Sequence, residues 1–298
     1  MKRRELLRNT PGTLLGAVGA LALGPGVRRL GAASVAPNPD QMERGEVFMK
    51  PGDFKKEPFK RLVIMGESTV EGGAALERRE DRFADVLVGL INACQERPLE
   101  YYNKGIGANA ISPRSPGYAE SRKPSALERY KTDVIDLHPD LFILCYGLND
   151  MRAAMPVKDF HDDMATIIGD VKKACAPVTV LTTVYYMTGW KSWPPYDKGS
   201  VDLTLRYNNC IRGLAAEFDC ILADVWASEG GADWLIHYDG VHANKVGNLV
   251  IAHRIFEAIA QHASGLTNRA FELARHTEWT QKTTKGRAEA GDPFKKTW

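Results

Sequence analysis

The segment DLFILCYGLND, residues 140–150, does most to decide the fold. Its first part is an unbroken apolar run, which is typical of a strand buried on both faces, and therefore of a parallel sheet covered by helices. The polar residues Asn149 and Asp150 follow closely, after Gly147. Ligands bind beyond the carboxyl ends of the strands in an open parallel sheet, so this polar turn is a candidate functional loop.

Similar patterns extend in both directions from this segment. Short runs rich in branched or aromatic residues predict further strands at 61–65, 99–103, 178–186 and 219–225. Helical spacing of apolar residues predicts helices at 82–96, 125–137, 157–176, 201–218 and 243–263. Ser125, followed three residues later by Glu128, predicts a capping box. Five strand–helix units in order predict an α/β domain with three α/β/α layers and a five-stranded, mainly parallel sheet.

Bulk composition excludes several classes of partner. The chain has 298 residues, enough for one sizeable core, and its formal net charge is only +2. No strong electrostatic field is therefore available for nucleic acid or an anionic membrane, and we expect neither as a partner. The five cysteines are odd in number and lack C-x-x-C spacing. This argues against a zinc cluster and favours buried free thiols over a disulfide between Cys210 and Cys220.

The first 45 residues have the layout of an export signal and linker. Arg3 and Arg4 precede a short apolar stretch, 13–24, which is too short and too Gly-rich to span a bilayer. The adjacent arginines resemble a twin-arginine signal, so we expect an exported protein, periplasmic or extracellular. The alternative is a membrane anchor or a basic tail. A globular domain at 46–263 follows, and then a polar tail at 264–298, either a peripheral helix or partly disordered.

The turn MGESTVEGG, residues 65–73, follows the first predicted strand and has several interpretations. A phosphate loop would need Lys-Ser or Lys-Thr, and a dinucleotide fingerprint would need G-x-G-x-x-G; both are absent. Glu67 and Glu71 would also repel a phosphate. The second glycine of the G-x-S-x-G elbow is missing as well. Ser68 is thus either a nucleophile outside that elbow or a helix N-cap.

A nucleophilic serine needs a base, and the base needs an orienting acceptor. DGVH, residues 239–242, supplies both, because its spacing across a tight turn brings the Asp239 carboxylate to the Nδ1 atom of His242. The alternative is that Asp239 caps the last helix. An oxyanion needs donors, and Asn149 is a candidate unless it only closes an Asx turn. His237, close to the same turn, is the alternative base.

Four blocks occur in order along the chain. They are a Gly-acid-Ser turn after the first strand, N-x-G-x-x-[GA] after the second, G-x-N-D after the third, and D-x-x-H before the last helix. Together they resemble the SGNH hydrolases, also called GDSL-type esterases and lipases, over about residues 60–262. The resemblance implies a flavodoxin-like fold, a catalytic domain at 46–263, and ester hydrolysis without a metal or an organic cofactor.

The resemblance also implies roles for individual residues. Ser68 corresponds to the nucleophile, His242 to the general base, and Asp239 to the carboxylate that orients the histidine. The oxyanion hole corresponds to the Asn149 side chain and the backbone N–H groups of Ser68 and Ala108.

This sequence departs from the family pattern at three positions. The family usually has Asp where this chain has Glu67, Leu where it has Thr69, and Gly where it has Ala108. A methyl group at residue 108 restricts the backbone angles, and Gly107 is the alternative donor.

The loop at 187–200 follows the fourth predicted strand and should lie near the rim of the cleft. Trp190, Trp193 and Tyr196 are candidates for stacking on a sugar, or else form a proline-pinned hydrophobic patch. A long apolar lid is missing, which argues against a long-chain lipase. We therefore expect a small-molecule or glycan ester as substrate, and in particular a carbohydrate O-acetyl ester. The alternative is a non-catalytic carbohydrate-binding protein on the same fold.

Overall fold

The sheet contains five parallel strands in a computed structural model that describes residues 52–72 and 76–266. They are β1 (Arg61–Gly66), β2 (Glu100–Gly105), β3 (Leu141–Cys145), β4 (Val178–Thr182) and β5 (Ile221–Ala223). The order is β2-β1-β3-β4-β5, with every pair parallel. The predicted export signal and linker, and most of the predicted tail, lie outside the described residues.

Helices cover both faces of the sheet. They are α1 (Ser68–Glu71), α2 (Phe83–Ala93), α3 (Ala126–Asp133), α4 (Leu148–Arg152), α5 (Val157–Cys175), α6 (Val201–Glu217), α7 (Val225–Glu229) and α8 (Lys245–His262). Helices α2, α7 and α8 pack in one group, while α3, α5 and α6 pack in another. The predicted three-layer α/β fold is confirmed, and the strand order is the flavodoxin-like one.

Strand β3 carries the centre of the core. Leu141 to Leu144 are completely buried, and Cys145 is nearly so. The strand pairs with β1 on one side and β4 on the other, so that both of its edges are hydrogen-bonded. The unbroken apolar run therefore predicted a strand buried on both faces correctly.

Strands β4 and β5 both end earlier than the sequence pattern predicts, and in each case a polar side chain bonds to the backbone that follows. Beyond β4, Asn208 accepts from the Val184 N–H at 2.8 Å and donates to the Val184 carbonyl at 2.9 Å. Beyond β5, Asp224 accepts from the Ala227 N–H and caps α7. The end of β4 is not visible in local sequence, because Asn208 belongs to α6, whereas Asp224 caps α7 from the position just after β5.

Other sequence expectations have mixed outcomes. The capping box of Ser125 and Glu128 is present at α3 and confirms the prediction. Helix α4 occupies the GLNDMR segment that the pattern left as a loop. All five cysteines are free, but only Cys145 is buried and the other four are partly exposed. Within the part of the chain that the structure describes, no helix has the length and apolar character needed to cross a membrane.

Candidate active site

Ser68 lies directly beyond the carboxyl end of β1, at the first position of α1. The turn is tight: a Cβ on Gly66 would lie 2.3 Å from a Val70 methyl group and 2.6 Å from the Cys145 carbonyl oxygen. Only glycine therefore fits at the strand end. Because Ser68 begins a helix, its backbone N–H has no acceptor within the helix and is available to a ligand.

The DGVH turn brings its carboxylate and imidazole together. Asp239 Oδ1 accepts from the backbone N–H groups of Val241 at 2.8 Å and His242 at 2.9 Å. Asp239 Oδ2 lies 2.7 Å from His242 Nδ1. Gly240 makes the turn at φ 75°, a conformation that favours glycine. Both ends of the carboxylate are thus fixed to the residue that it orients.

The imidazole reaches across the fold to the serine. His242 Nε2 lies 2.8 Å from Ser68 Oγ, although the two residues are 174 positions apart in sequence. The structure therefore brings Ser68, His242 and Asp239 into one hydrogen-bonded chain. His237, the alternative base, has its Nδ1 atom 3.2 Å from Asp239 Oδ2 and belongs to the carboxylate's surroundings. The geometry places His242, the other imidazole of this loop, against the hydroxyl.

The pKa of Asp239 is held below the usual range of a carboxyl group. Partial burial opposes this by favouring the neutral form, but hydrogen bonds from the His242 backbone and imidazole and from the Val241 N–H outweigh it. The carboxylate is therefore ionised at any pH near neutrality. It can fix the Nδ1–H tautomer of His242, which leaves Nε2 to accept the proton of Ser68.

Asn149 lies beyond the adjacent strand, β3, in helix α4. Strand β2 lies on one side of β1, and β3 and the later strands lie on the other side. The boundary between β1 and β3 is therefore the topological switch point, where open α/β sheets form their ligand crevice. The Asn149 side chain donates one N–H to the Asn109 carbonyl at 3.0 Å. An amide carries two N–H donors, so one remains for another acceptor.

Glu67 joins the serine turn to the asparagine turn. Its Oε1 atom accepts from the Leu148 N–H at 2.8 Å, and its Oε2 atom accepts from the Asn149 N–H at 2.9 Å. The carboxylate thus bridges the residue before Ser68 to the backbone of Asn149. The glutamate that departs from the family pattern has two definite partners.

The bridging carboxyl group is buried, and burial raises its pKa. Removal from solvent and the neighbouring Asp150 carboxylate raise the pKa of Glu67 to about 8, against the opposing effect of the two backbone donors. Burial also raises the pKa of Asp150 to about 7, although the Ser115 hydroxyl and the Ile111 N–H act in the opposite direction. The buried carboxyl groups of Glu67 and Asp150 therefore favour a state in which they carry fewer than two negative charges between them.

Ala108 adopts a left-handed backbone conformation with φ 53°. A side chain makes that conformation costly, by roughly 1–2 kcal/mol, so surrounding contacts must hold it. The Tyr196 hydroxyl group faces two carbonyl oxygens, those of Ala108 at 3.2 Å and Gly117 at 3.4 Å. Gly107, the alternative donor, lies next to Glu71: a Cβ there would approach Glu71 Oε2 to 2.8 Å.

The three predicted rim aromatics have different surroundings. Tyr196 is only 3% exposed and packs its ring near the Arg152 guanidinium, 5.2 Å from the ring centre. The expectation that it offers a face to a sugar is therefore wrong, because its hydroxyl is directed inward to backbone carbonyls. Trp190 is half-buried and meets the Tyr186 ring edge-on at 5.7 Å. Trp193 is exposed.

Two contributions to the site were missed by sequence reasoning. Tyr185 donates to the Val241 carbonyl at 3.0 Å, and Thr69 bonds to the same phenol at 3.0 Å, so the tyrosine ties α1 to the histidine turn. Thr69 thereby acquires a polar partner. Tyr238, immediately before Asp239, is almost entirely exposed. An aromatic residue next to a candidate catalytic turn was the available signal for Tyr238, whereas nothing local indicates the Tyr185 contacts.

Within residues 52–72 and 76–266, no cluster of three or more His, Cys, Asp and Glu side chains is placed to hold a metal ion.

Comparisons with known proteins concern the family and the fold. The family model described as GDSL-like Lipase/Acylhydrolase family matches residues 64–250. A search of curated protein sequences gave no match. Among solved structures, the lipase/acylhydrolase from Enterococcus faecalis is similar with a TM-score of 0.54 at 18% identity, covering 68% of this chain and 96% of that one. The acetylxylan esterase Axe2 from Geobacillus stearothermophilus has a TM-score of 0.52 at 18% identity, covering 69% and 96%. Identities this low establish a shared fold alone.

Proposed function

This chain belongs to the GDSL-like lipase/acylhydrolase family, and from that premise we propose that Ser68, His242 and Asp239 hydrolyse a carboxylic ester. Membership confirms the family resemblance and makes the chain a serine ester hydrolase. The observation that carries the proposed residue roles is the continuous contact from Asp239 Oδ2 through the His242 ring to Ser68 Oγ, at 2.7 and 2.8 Å.

In the proposed reaction, Ser68 Oγ attacks the ester carbonyl carbon while His242 Nε2 takes its proton. The negative charge that develops on the carbonyl oxygen is stabilised by the Asn149 amide and by the N–H groups of Ser68 and Ala108. The tetrahedral intermediate then breaks its bond to the alcohol oxygen, which receives the proton from His242. Water, activated by the same imidazole, releases the acid and restores Ser68.

We propose a short-chain ester of a carbohydrate as the substrate. The sequence shows no long apolar lid, which supports a short acyl group. Exposed Trp193 and the similarity of the fold to an acetylxylan esterase support a sugar as the alcohol. Arg3 and Arg4 support export to the periplasm or medium, which fractionation of the expressing cells tests.

A fluorophosphonate probe tests the nucleophile, with p-nitrophenyl acetate as a parallel substrate. We expect wild type to be labelled and active, Ser68→Ala to be unlabelled and inactive, and the control Ser228→Ala, an exposed serine on α7, to behave as wild type. An unlabelled wild type that still binds glycans would refute the proposal. It would favour the alternative of a non-catalytic carbohydrate-binding protein.

A further inference from the structure

We propose that a groove beside His242 binds the alcohol part of the ester, and that this alcohol is an uncharged polyol such as a sugar. The inference rests on the proposed function and extends it to a binding site for the leaving group. The groove has a volume of about 810 Å³, and Arg78, Asp81, Tyr238 and Lys245 are among its lining residues. We call it the Tyr238 groove.

The position of the Tyr238 groove indicates that it would hold the alcohol, which is the leaving group of the reaction. Leu76 lines both this groove and the crevice that contains Ser68 and His242, so the two spaces adjoin. Tyr238 lies on the same turn as Asp239 and His242. In the proposed reaction His242 must reach the alcohol oxygen, whereas the carbonyl oxygen faces Asn149. The alcohol therefore extends on the histidine side of Ser68, where the groove begins.

The charges of the Tyr238 groove suit neutral hydroxyl groups. Glu77 and Asp81 supply two carboxylates, and Arg78 and Lys245 supply two cations. Asp81 lies between both cations, with Oδ1 3.1 Å from Arg78 and 3.1 Å from Lys245. A phosphate or carboxylate ligand would favour an excess of positive charge, and an alkyl chain would favour apolar walls. Balanced donors and acceptors instead match a polyol, whose hydroxyls both donate and accept.

Tyr238 gives the groove a stacking surface. Its side chain is 94% exposed, and its ring centre lies 3.9 Å from that of His237. His237 is in turn held near Asp239, with its Nδ1 atom 3.2 Å from Oδ2. The phenol is thus almost entirely open to a ligand. Aromatic rings lose little conformational freedom on binding, so an exposed ring is suited to the C–H face of a sugar.

The test compares a sugar ester with a substrate that lacks a sugar. In the full-length protein, Tyr238→Ala should lower kcat/KM for acetylated xylo-oligosaccharides at least tenfold more than for p-nitrophenyl acetate, mainly through KM. Tyr238→Phe should recover most of the loss, because the stacking face remains. Trp234→Ala is the matched control: that ring is 69% exposed on the same segment but does not line the groove. It should leave the ratio within twofold.

A binding measurement separates this inference from the proposed function. In a Ser68→Ala background, calorimetry with acetylated xylo-oligosaccharides should show that Tyr238→Ala weakens Kd at least tenfold, while Trp234→Ala does not. If wild type hydrolyses p-nitrophenyl acetate but Tyr238→Ala affects both substrates equally, or neither, the groove assignment is wrong and the esterase stands. If wild type hydrolyses neither ester and resists the phosphonate probe, the proposed function itself is wrong and this inference with it.

Discussion

The two regions that meet at Ser68 are built in opposite ways. On the histidine side, Asp239 has 33% of its side chain exposed and is surrounded by hydrogen-bond donors. On the asparagine side, Glu67 is only 3% exposed and accepts hydrogen bonds from two consecutive backbone N–H groups of the neighbouring turn. Their pKa values accordingly move apart, lowered for Asp239 and raised for Glu67.

This difference indicates a division of labour around the nucleophile. A partly hydrated carboxylate keeps its charge at little cost, so the charge that the proposed chemistry requires belongs on the histidine side. A buried carboxyl group with fixed partners holds geometry, because losing one partner leaves a costly unsatisfied group. Substitutions on the histidine side should therefore reduce turnover in a stable protein. Substitutions on the asparagine side should affect both turnover and stability.

The largest expected effect is that of Asp239→Asn. The asparagine retains an oxygen for the Val241 and His242 backbone donors, but its amide N–H₂ would face Nδ1 and favour the wrong tautomer of His242. We expect kcat for p-nitrophenyl acetate to fall by about 10⁴-fold, with the melting temperature nearly unchanged. Asp233→Asn, an exposed carboxylate that accepts from the Tyr186 hydroxyl, is the control and should retain activity within about twofold. A comparable loss in both variants would remove Asp239 from its proposed role.

Asn149→Ala should rank second. The amide is proposed to act on the oxyanion, so its loss should lower kcat by roughly 10²–10³-fold and change KM far less. The Asn149 backbone N–H still reaches Glu67 in this variant, which keeps the turn in place. The exposed Asn209, replaced by alanine, provides the control. A rise in KM with kcat intact would instead indicate ground-state binding.

Glu67→Gln should show its effect in stability. Glutamine retains one acceptor oxygen, but its N–H₂ would face a backbone donor, so we expect a loss of about 1–3 kcal/mol in the free energy of unfolding. Urea unfolding measures it. Glu257→Gln, which disturbs an exposed ion pair with Arg254 and an exposed hydrogen bond from Gln261, should change stability by less than about 1 kcal/mol.

The same variant tests the raised pKa of Glu67. The folded protein holds this proton more tightly than the unfolded chain, so the resulting stabilisation is present at acidic pH and is lost as pH rises from about 4.5 to about 8. Wild type should therefore lose stability across this range, and Glu67→Gln should lose less, because glutamine has no proton to release there. Parallel stability curves would show that the buried carboxyl group does not titrate in this window.

Sequence reasoning succeeded where one physical signal dominates. The apolar run of β3 predicted a strand buried on both faces, and the alternation of strands and helices predicted the layers. Parallel strands also place the loops after β1 and β3 at one edge, so Ser68 and Asn149 were expected to be neighbours. Residue chemistry made His242 a candidate base for Ser68, and the family resemblance selected it over the alternatives, because no local pattern links residues 174 positions apart.

Features that depend on long-range side-chain contacts were not predictable in the same way. The end of β4 depends on Asn208, and the orientation of Tyr196 depends on carbonyl groups from a different loop. The sequence made Tyr196 a candidate for stacking on a sugar and did not single out Tyr238. One is buried against backbone oxygens and the other is exposed, and only the packing of the surrounding loops decides between these outcomes.

The smallest expected effect concerns Tyr196. This uncharged residue contacts the Ala108 carbonyl on the asparagine side, so it tests whether that side depends on geometry rather than on charge. Tyr196→Phe removes the hydroxyl that contacts the Ala108 carbonyl, and a hydrogen bond worth about 1 kcal/mol predicts a roughly fivefold lower kcat. Ala108→Gly removes the cost of the left-handed backbone, so residue 108 no longer depends on Tyr196. In the Ala108→Gly background, Tyr196→Phe should therefore lower kcat by less than about twofold, which a double-mutant cycle measures. Equal losses in both backgrounds would mean that the hydroxyl stabilises the loop without positioning Ala108.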